Sequence, residues 1–242
     1  MRKMRNWFGN PVLLLASLCG LAACEGVSNV ERVLELHGQR LAFDGDVFDI
    51  LADDISGNGL ADLIFTSHEE SFSQIFPQRR ARNFEPGARI DAVGFHPGNF
   101  IRLADQADDK HRYLMSAEGL NQLQVYGGTK DTGLELDLAF GAPAPRYSTT
   151  FSWPTGQGLA TAPFIPGLLL IMEGFNPLAR TVAYSHTITL PSNLSSLGPI
   201  IAADVDGDEI DELILADSAM YTVWRVRHPQ QGETPAVERL WQ

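Results

Sequence analysis

Apolar and polar residues alternate with a period of two along most of the chain. The pattern is clearest in Leu134–Phe140 (LELDLAF) and Tyr221–Arg227 (YTVWRVR), and it is the signature of a half-buried strand. Short apolar runs or the same alternation mark Phe48–Leu51, Asp62–Thr66, Ser73–Phe76, Asn99–Leu103, Arg112–Met115, Leu123–Tyr126, Leu168–Met172, Thr181–Thr189, Ile200–Asp204 and Glu212–Leu215 as further strands. Gly, Pro, Asn and Asp cluster between them, as tight turns require. Only Val30–Leu41 (VERVLELHGQRL) suits a helix as well as a strand. The chain from residue 31 to 242 therefore reads as all-β.

Two segments can be laid over one another. Asp54-Ile-Ser-Gly-Asn-Gly-Leu-Ala-Asp62 and Asp204-Val-Asp-Gly-Asp-Glu-Ile-Asp-Glu212 each follow an apolar strand and run into another. Each carries oxygen-bearing side chains at its first, third, fifth and ninth places and glycine at its fourth. They start about 150 residues apart, three periods of about 50. Ile101–Gly119 repeats the strand, acidic loop, strand shape with Asp105 in first place but without the glycine. Ala160–Gly174 keeps only the second strand and its turn. Four units of about 50 residues, each with about four strands, predict a β-propeller, because such a sheet buries its apolar faces only against its neighbours.

The two loops resemble the calcium loops of FG-GAP/VCBS repeats, the blades of integrin α-subunit propellers and of many bacterial surface proteins. The resemblance covers two motif-bearing blades and two degenerate ones, four in all where the family usually has seven. It implies that Asp204, Asp206, Asp208 and Glu212 are side-chain ligands to a structural Ca²⁺, with the backbone carbonyl of Ile210. In the first loop Asp54, Ser56, Asn58 and Asp62 take those places, with the carbonyl of Leu60. Calcium takes about six to eight oxygen ligands at about 2.3–2.6 Å, which a short loop with oxygens at alternate positions can supply. Four carboxylates against two rank the Asp204 loop as the tighter site. An EF-hand also begins D-x-D-x-D-G, but it needs Gly sixth and Glu twelfth between helices; Glu209 and Leu215 stand there, between strands. The alternative is an acidic turn that binds nothing.

The first 23 residues belong outside the fold. Arg2, Lys3 and Arg5 precede the apolar run Pro11–Ala23, which is shorter than the roughly 20 residues of a membrane span but fits a secretory signal. It closes on Leu21-Ala22-Ala23-Cys24, which resembles a bacterial lipobox and implies lipidation of Cys24 after cleavage. An ordinary signal peptide and a buried apolar helix are the alternatives. Glu25 after the cysteine favours the outer membrane of a bacterial cell envelope, and residues 24–30 form a tether of about 20 Å at most.

Composition narrows the partners. The chain carries 18 Lys+Arg against 30 Asp+Glu, a formal charge of −12, and loss of the basic leader makes the exported chain more acidic still. Extended clusters of base, which nucleic acid requires, are lacking; Arg79, Arg80 and Arg82, with Arg89 nearby, form a basic spot on a strongly acidic chain. With two cysteines, one expected in the leader and one as lipid anchor, disulfides are not expected, and the calcium that the resemblance implies would take over part of that role.

No G-x-S-x-G, H-E-x-x-H, phosphate-binding glycine loop or dinucleotide fingerprint occurs. The histidines (His37, His68, His96, His111, His186, His228) are scattered, and His68 with Glu69 and Glu70 is the most site-like group. Trp153, Trp224 and Trp241 suit inter-blade packing or a carbohydrate groove. The sequence thus favours an envelope scaffold with a protein or glycan partner. A propeller enzyme acting on glycans or other envelope substrates is the alternative, to be recognised by acids and His gathered at one end of the blades.

Overall fold

A computed structural model describes residues 33–36, 39–80, 83–91, 96–103, 111–129, 133–154, 156–165, 167–190, 197–217, 222–227 and 235–241. The signal peptide, Cys24, the tether, Asp105, Arg82, His37, His228 and the side chain of Trp241 lie outside the described residues.

Four antiparallel four-stranded sheets follow one another as the blades of a four-bladed β-propeller. Blade I consists of β3 (Asp49–Asp53), β4 (Asp62–Ser67), β5 (Phe72–Phe76) and β8 (Arg89–Asp91). A small ribbon, β6 (Gln78–Arg80) with β7 (Asn83–Phe84), interrupts it. Blade II is β9 (Pro97–Arg102), β10 (Arg112–Ala117), β11 (Gln122–Thr129) and β12 (Gly133–Gly141). Blade III is β13 (Pro145–Trp153), β14 (Gly156–Pro163), β15 (Leu168–Glu173) and β16 (Tyr184–Thr189). Blade IV is β17 (Leu197–Ala203), β18 (Glu212–Asp217), β19 (Thr222–Arg227) and β20 (Ala236–Trp241). Val30–Leu41 is not a helix where it is described: β1 (Val33–Leu36) and β2 (Gln39–Ala42) form a hairpin ahead of blade I.

The first strands of successive blades pack on one another, β9 on β3, β13 on β9 and β17 on β13. The two-residue period divides the middle strands of blades II and III between two junctions. Ile64 faces blade II, with Ile55 and Ile75 against Phe100, Tyr113 and Met115. Leu114, Leu123 and Val125 meet Leu159 and Phe175 of blade III. Phe151, Trp153, Leu169 and Ile171 meet Ile200, Leu213, Leu215, Trp224 and Val226 of blade IV. Trp153 and Trp224 are therefore packing residues. The outer face of blade I, Leu63, Phe65, Phe72 and Phe76, is covered by Leu41 and Phe43 from the hairpin and the chain after it. Among the described residues no core cluster joins blade IV to blade I.

Side chains bond the junctions as well. Asp49 Oδ2 accepts from Phe100 N (2.8 Å), and Asp53 accepts from Arg102 Nη1 (2.9 Å) and Tyr113 OH (2.7 Å). Asn99 pairs with the backbone of Ser148 through Nδ2→O and N→Oδ1, both 2.8 Å, in imitation of a strand. These backbone partners stand 51 and 49 residues apart, so the repeat length read from the loops reappears as a contact spacing.

Two loops and the opposite end of the blades

In an antiparallel blade, consecutive turns fall at opposite ends. The β3–β4 and β17–β18 loops hold the two acidic segments, and they share an internal frame. Asp54 accepts from Asn58 N (2.9 Å) and Gly59 N (2.8 Å), while Asp204 accepts from Gly207 N (2.7 Å), Asp208 N (3.1 Å) and Glu209 N (3.1 Å). The fifth side chain accepts from the seventh N–H in both, Asn58 from Leu60 and Asp208 from Ile210. The fourth place is left-handed in each, with Gly57 at φ 69° and Gly207 at φ 83°. Open space surrounds both, so it is the backbone conformation that calls for glycine there.

The ninth residues act differently from the rest. Asp62 is buried and accepts from Ser56 N (2.8 Å) and Gln78 N (2.7 Å), tying the loop to the β6–β7 ribbon. Glu212 is also buried; its Oε2 accepts from Val205 N (2.8 Å) and its Oε1 lies 3.3 Å from Arg225 Nη1. The carboxylates of Asp204, Asp206 and Asp208 converge instead, with one oxygen from each within 4.8 Å of the others, at an exposed position. That spacing suits a shared cation, since ligands about 2.5 Å from an ion lie within about 5 Å of one another. In the first loop Ser56 Oγ is buried and has no hydrogen-bond partner among the described residues. A buried hydroxyl is ordinarily satisfied, so this oxygen is free to accept a ligand.

The other end gathers groups that are distant in sequence. His68, just after β4, bonds through Nδ1 to Pro97 O (2.9 Å), which places the ring proton on Nδ1. Nε2 then accepts from Arg146 Nη2 (3.3 Å). Arg146 also pairs with buried Glu118 through Nε→Oε2 (2.6 Å) and Nη2→Oε1 (3.2 Å). Tyr147, Phe48, His68 and His96 form a column of rings with successive centroids 5.6, 4.6 and 4.4 Å apart. Burial lowers the pKa of His68, and Arg146 and His96 add to the effect against the Pro97 bond. Burial pushes the Asp49 carboxyl up to about 6, against hydrogen bonds from the Phe100 and Ile50 N–H groups. Beside the column, Asp46, Glu69 and Glu70 form a second acidic group around Ser67.

The sequence pointed to His68, Glu69 and Glu70 but missed Asp46, Asp49, Glu118, Arg146 and Tyr147, which reach this end from other blades, from the approach to blade I or, for Asp49, from the start of β3. His186 instead pairs with buried Glu173 (2.8 Å), and His111 with Arg102 (2.9 Å). The basic spot is partly neutralised: Arg79 lies 3.7 Å from Glu85, and Arg89 pairs with Asp91 (2.6 Å) while covering the Phe72 ring. Among the described residues no helix is long and apolar enough to cross a membrane.

Fold and loops together define a β-propeller protein whose first and last blades carry matching acidic hairpin loops. Compared with models of known protein families the chain matches none, and no curated protein matches it.

Proposed function

We propose that this is a calcium-stabilised propeller lipoprotein of FG-GAP/VCBS type, anchored through Cys24 at a bacterial outer membrane and serving as a scaffold for a protein or glycan partner. The observation that carries the calcium reading is the loop chemistry. Three carboxylates converge on one point in blade IV, and a buried, unpartnered hydroxyl stands at the equivalent third place in blade I. Asp204, Asp206 and Asp208 would hold one ion and Asp54, Ser56 and Asn58 another. The carbonyls of Leu60 and Ile210 and the carboxylates of Asp62 and Glu212 complete the ligand sets that the resemblance implies. Bound calcium supplies positive charge that fixes the register of the strands it joins. At about 100-fold over its Kd it adds roughly 2.7 kcal/mol to stability.

Thermal melts of the full chain with calcium and with EDTA test this. Asp206→Ala should remove most of the calcium-dependent rise in Tm, and an unchanged EDTA effect in that variant would reject the blade IV loop as a site. Capture of the lipidated protein from its own membranes in calcium addresses the partner, and loss of membrane fractionation in Cys24→Ser addresses the anchor.

One observation favours the enzyme reading as well. His68, Asp49, Tyr147, Arg146 and Glu118 gather at the end of the blades opposite the loops, with Asp46, Glu69 and Glu70 beside them. A carboxyl with its pKa pushed up to about 6 near a neutral histidine is a composition that suits acid–base chemistry on glycans. Hydrolysis of envelope glycans by wild type but not by Asp49→Asn would select that reading over the scaffold.

A further inference from the structure

A cation already stands on the blade IV loop. The Arg225 guanidinium, carried by β19 and nearly buried, places Nη1 3.3 Å from Glu212 Oε1 and 4.0 Å from Asp206 Oδ2, two of the four carboxylates assigned to that loop. Its remaining nitrogens, Nε and Nη2, go to Glu238 on β20, which also accepts from Arg227 Nε at 3.2 Å. A guanidinium is always charged and presents several donors in one plane, so it can serve both groups at once. The blade I loop has no such group among its described contacts. Its ninth residue, Asp62, is held by two backbone N–H groups, and its third keeps a free oxygen.

We propose that Arg225 is a built-in counter-cation of the blade IV loop, competing with a divalent ion for Asp206 and Glu212 and shared with Glu238 on the outermost strand. This rests on the calcium reading above and concerns how that site is regulated. Two consequences follow from the geometry. Counting carboxylates overstates the affinity of the blade IV loop, because two of the four already face a positive charge. Filling the loop also turns Arg225 fully toward Glu238, so occupancy at the inner end of the blade tightens the pairing of β19 with β20.

The full chain, titrated with calcium and separately with Tb³⁺, tests the competition. Arg225→Gln should tighten the blade IV site about tenfold or more and leave the blade I site unchanged. Glu238→Gln, which leaves Arg225 with only the loop to pair with, should weaken the same site severalfold. This second variant gives an answer even where Arg225→Gln folds poorly. Asp206→Ala identifies which binding step belongs to blade IV. Unchanged affinity of that step in both variants, or weaker binding in Arg225→Gln, overturns the proposal. Absence of any step in wild type and variants alike would instead overturn the calcium reading beneath it.

Discussion

Two side chains at the end opposite the loops respond to acid in opposite directions. Burial, aided by the Arg146 guanidinium that donates to the nitrogen a second proton would occupy, holds His68 neutral, so its pKa falls below the ordinary 6.5. Between those two values the unfolded chain binds a proton that the native state refuses. His68 therefore subtracts stability as pH drops through 6.5 toward its folded pKa. Asp49 does the reverse. With a folded pKa of about 6 against 3.8, it favours the fold when protonated, and that contribution is lost as pH rises from 3.8 to 6. A carbon-detected carboxyl titration should show one Asp with a midpoint near 6 that vanishes in Asp49→Asn, and the His68 ring should titrate below 6.5. An Asp49 midpoint near 4 would mean that its carboxyl is solvated and not buried against Phe100 N.

At the scale of the strands, the junction between blades II and III depends on an imitation of backbone pairing. Asn99 satisfies both the N–H and the carbonyl of Ser148, which is almost fully buried. Asn99→Ala leaves both without a partner, and each unsatisfied buried group costs about 1–3 kcal/mol. Urea unfolding should therefore show a loss of about 2–6 kcal/mol, and a smaller loss would mean that water replaces the amide. The same junction explains what sequence could and could not convey. Strands with apolar alternation, such as β11, β12 and β19, were legible because burial on one or both faces writes itself as hydrophobic residues. β13 (PRYSTTFSW) and β14 (GQGLATAP) were not, because their buried positions include Ser148 and Thr161, whose hydroxyls bond to each other (3.0 Å), that of Ser148 also to Ser116 (2.8 Å). Once satisfied in this way, a hydroxyl packs like a methyl group, yet it reads as polar. The candidate loops were legible because their oxygens lie close in sequence. Arg225 was not, since its partners are set by the pairing register of β19 with β18 and β20, and the His68–Arg146–Glu118 set was not, since it depends on which blades become neighbours; no local pattern records either.

For the molecule as a whole, the four blades are not equally protected. Blades II and III are each packed between two others, and β10 is buried along its full length. Blade I has blade II on one face and Leu41 and Phe43 on the other, so the hairpin does the work of a neighbouring blade. Blade IV buries Ile200, Leu213 and Leu215 against blade III, but among the described residues no core cluster covers its other face, where Ile201 is 56% exposed and the strands carry Arg227 and Glu238. A strand protected on one face opens at lower free energy than one protected on both, since less apolar area is uncovered when it opens. Amide exchange followed by mass spectrometry without calcium should therefore find β10 and β14 slowest and β17–β20 fastest among the blade strands. Adding calcium should slow β17 and β18, which the Asp204 loop joins, and β19 and β20 through the shift of Arg225 toward Glu238, while leaving β10 and β14 as they were. Equal protection of all four blades without calcium would mean that both faces of blade IV are covered, and a calcium response confined to β17 and β18 would remove Arg225 from the coupling.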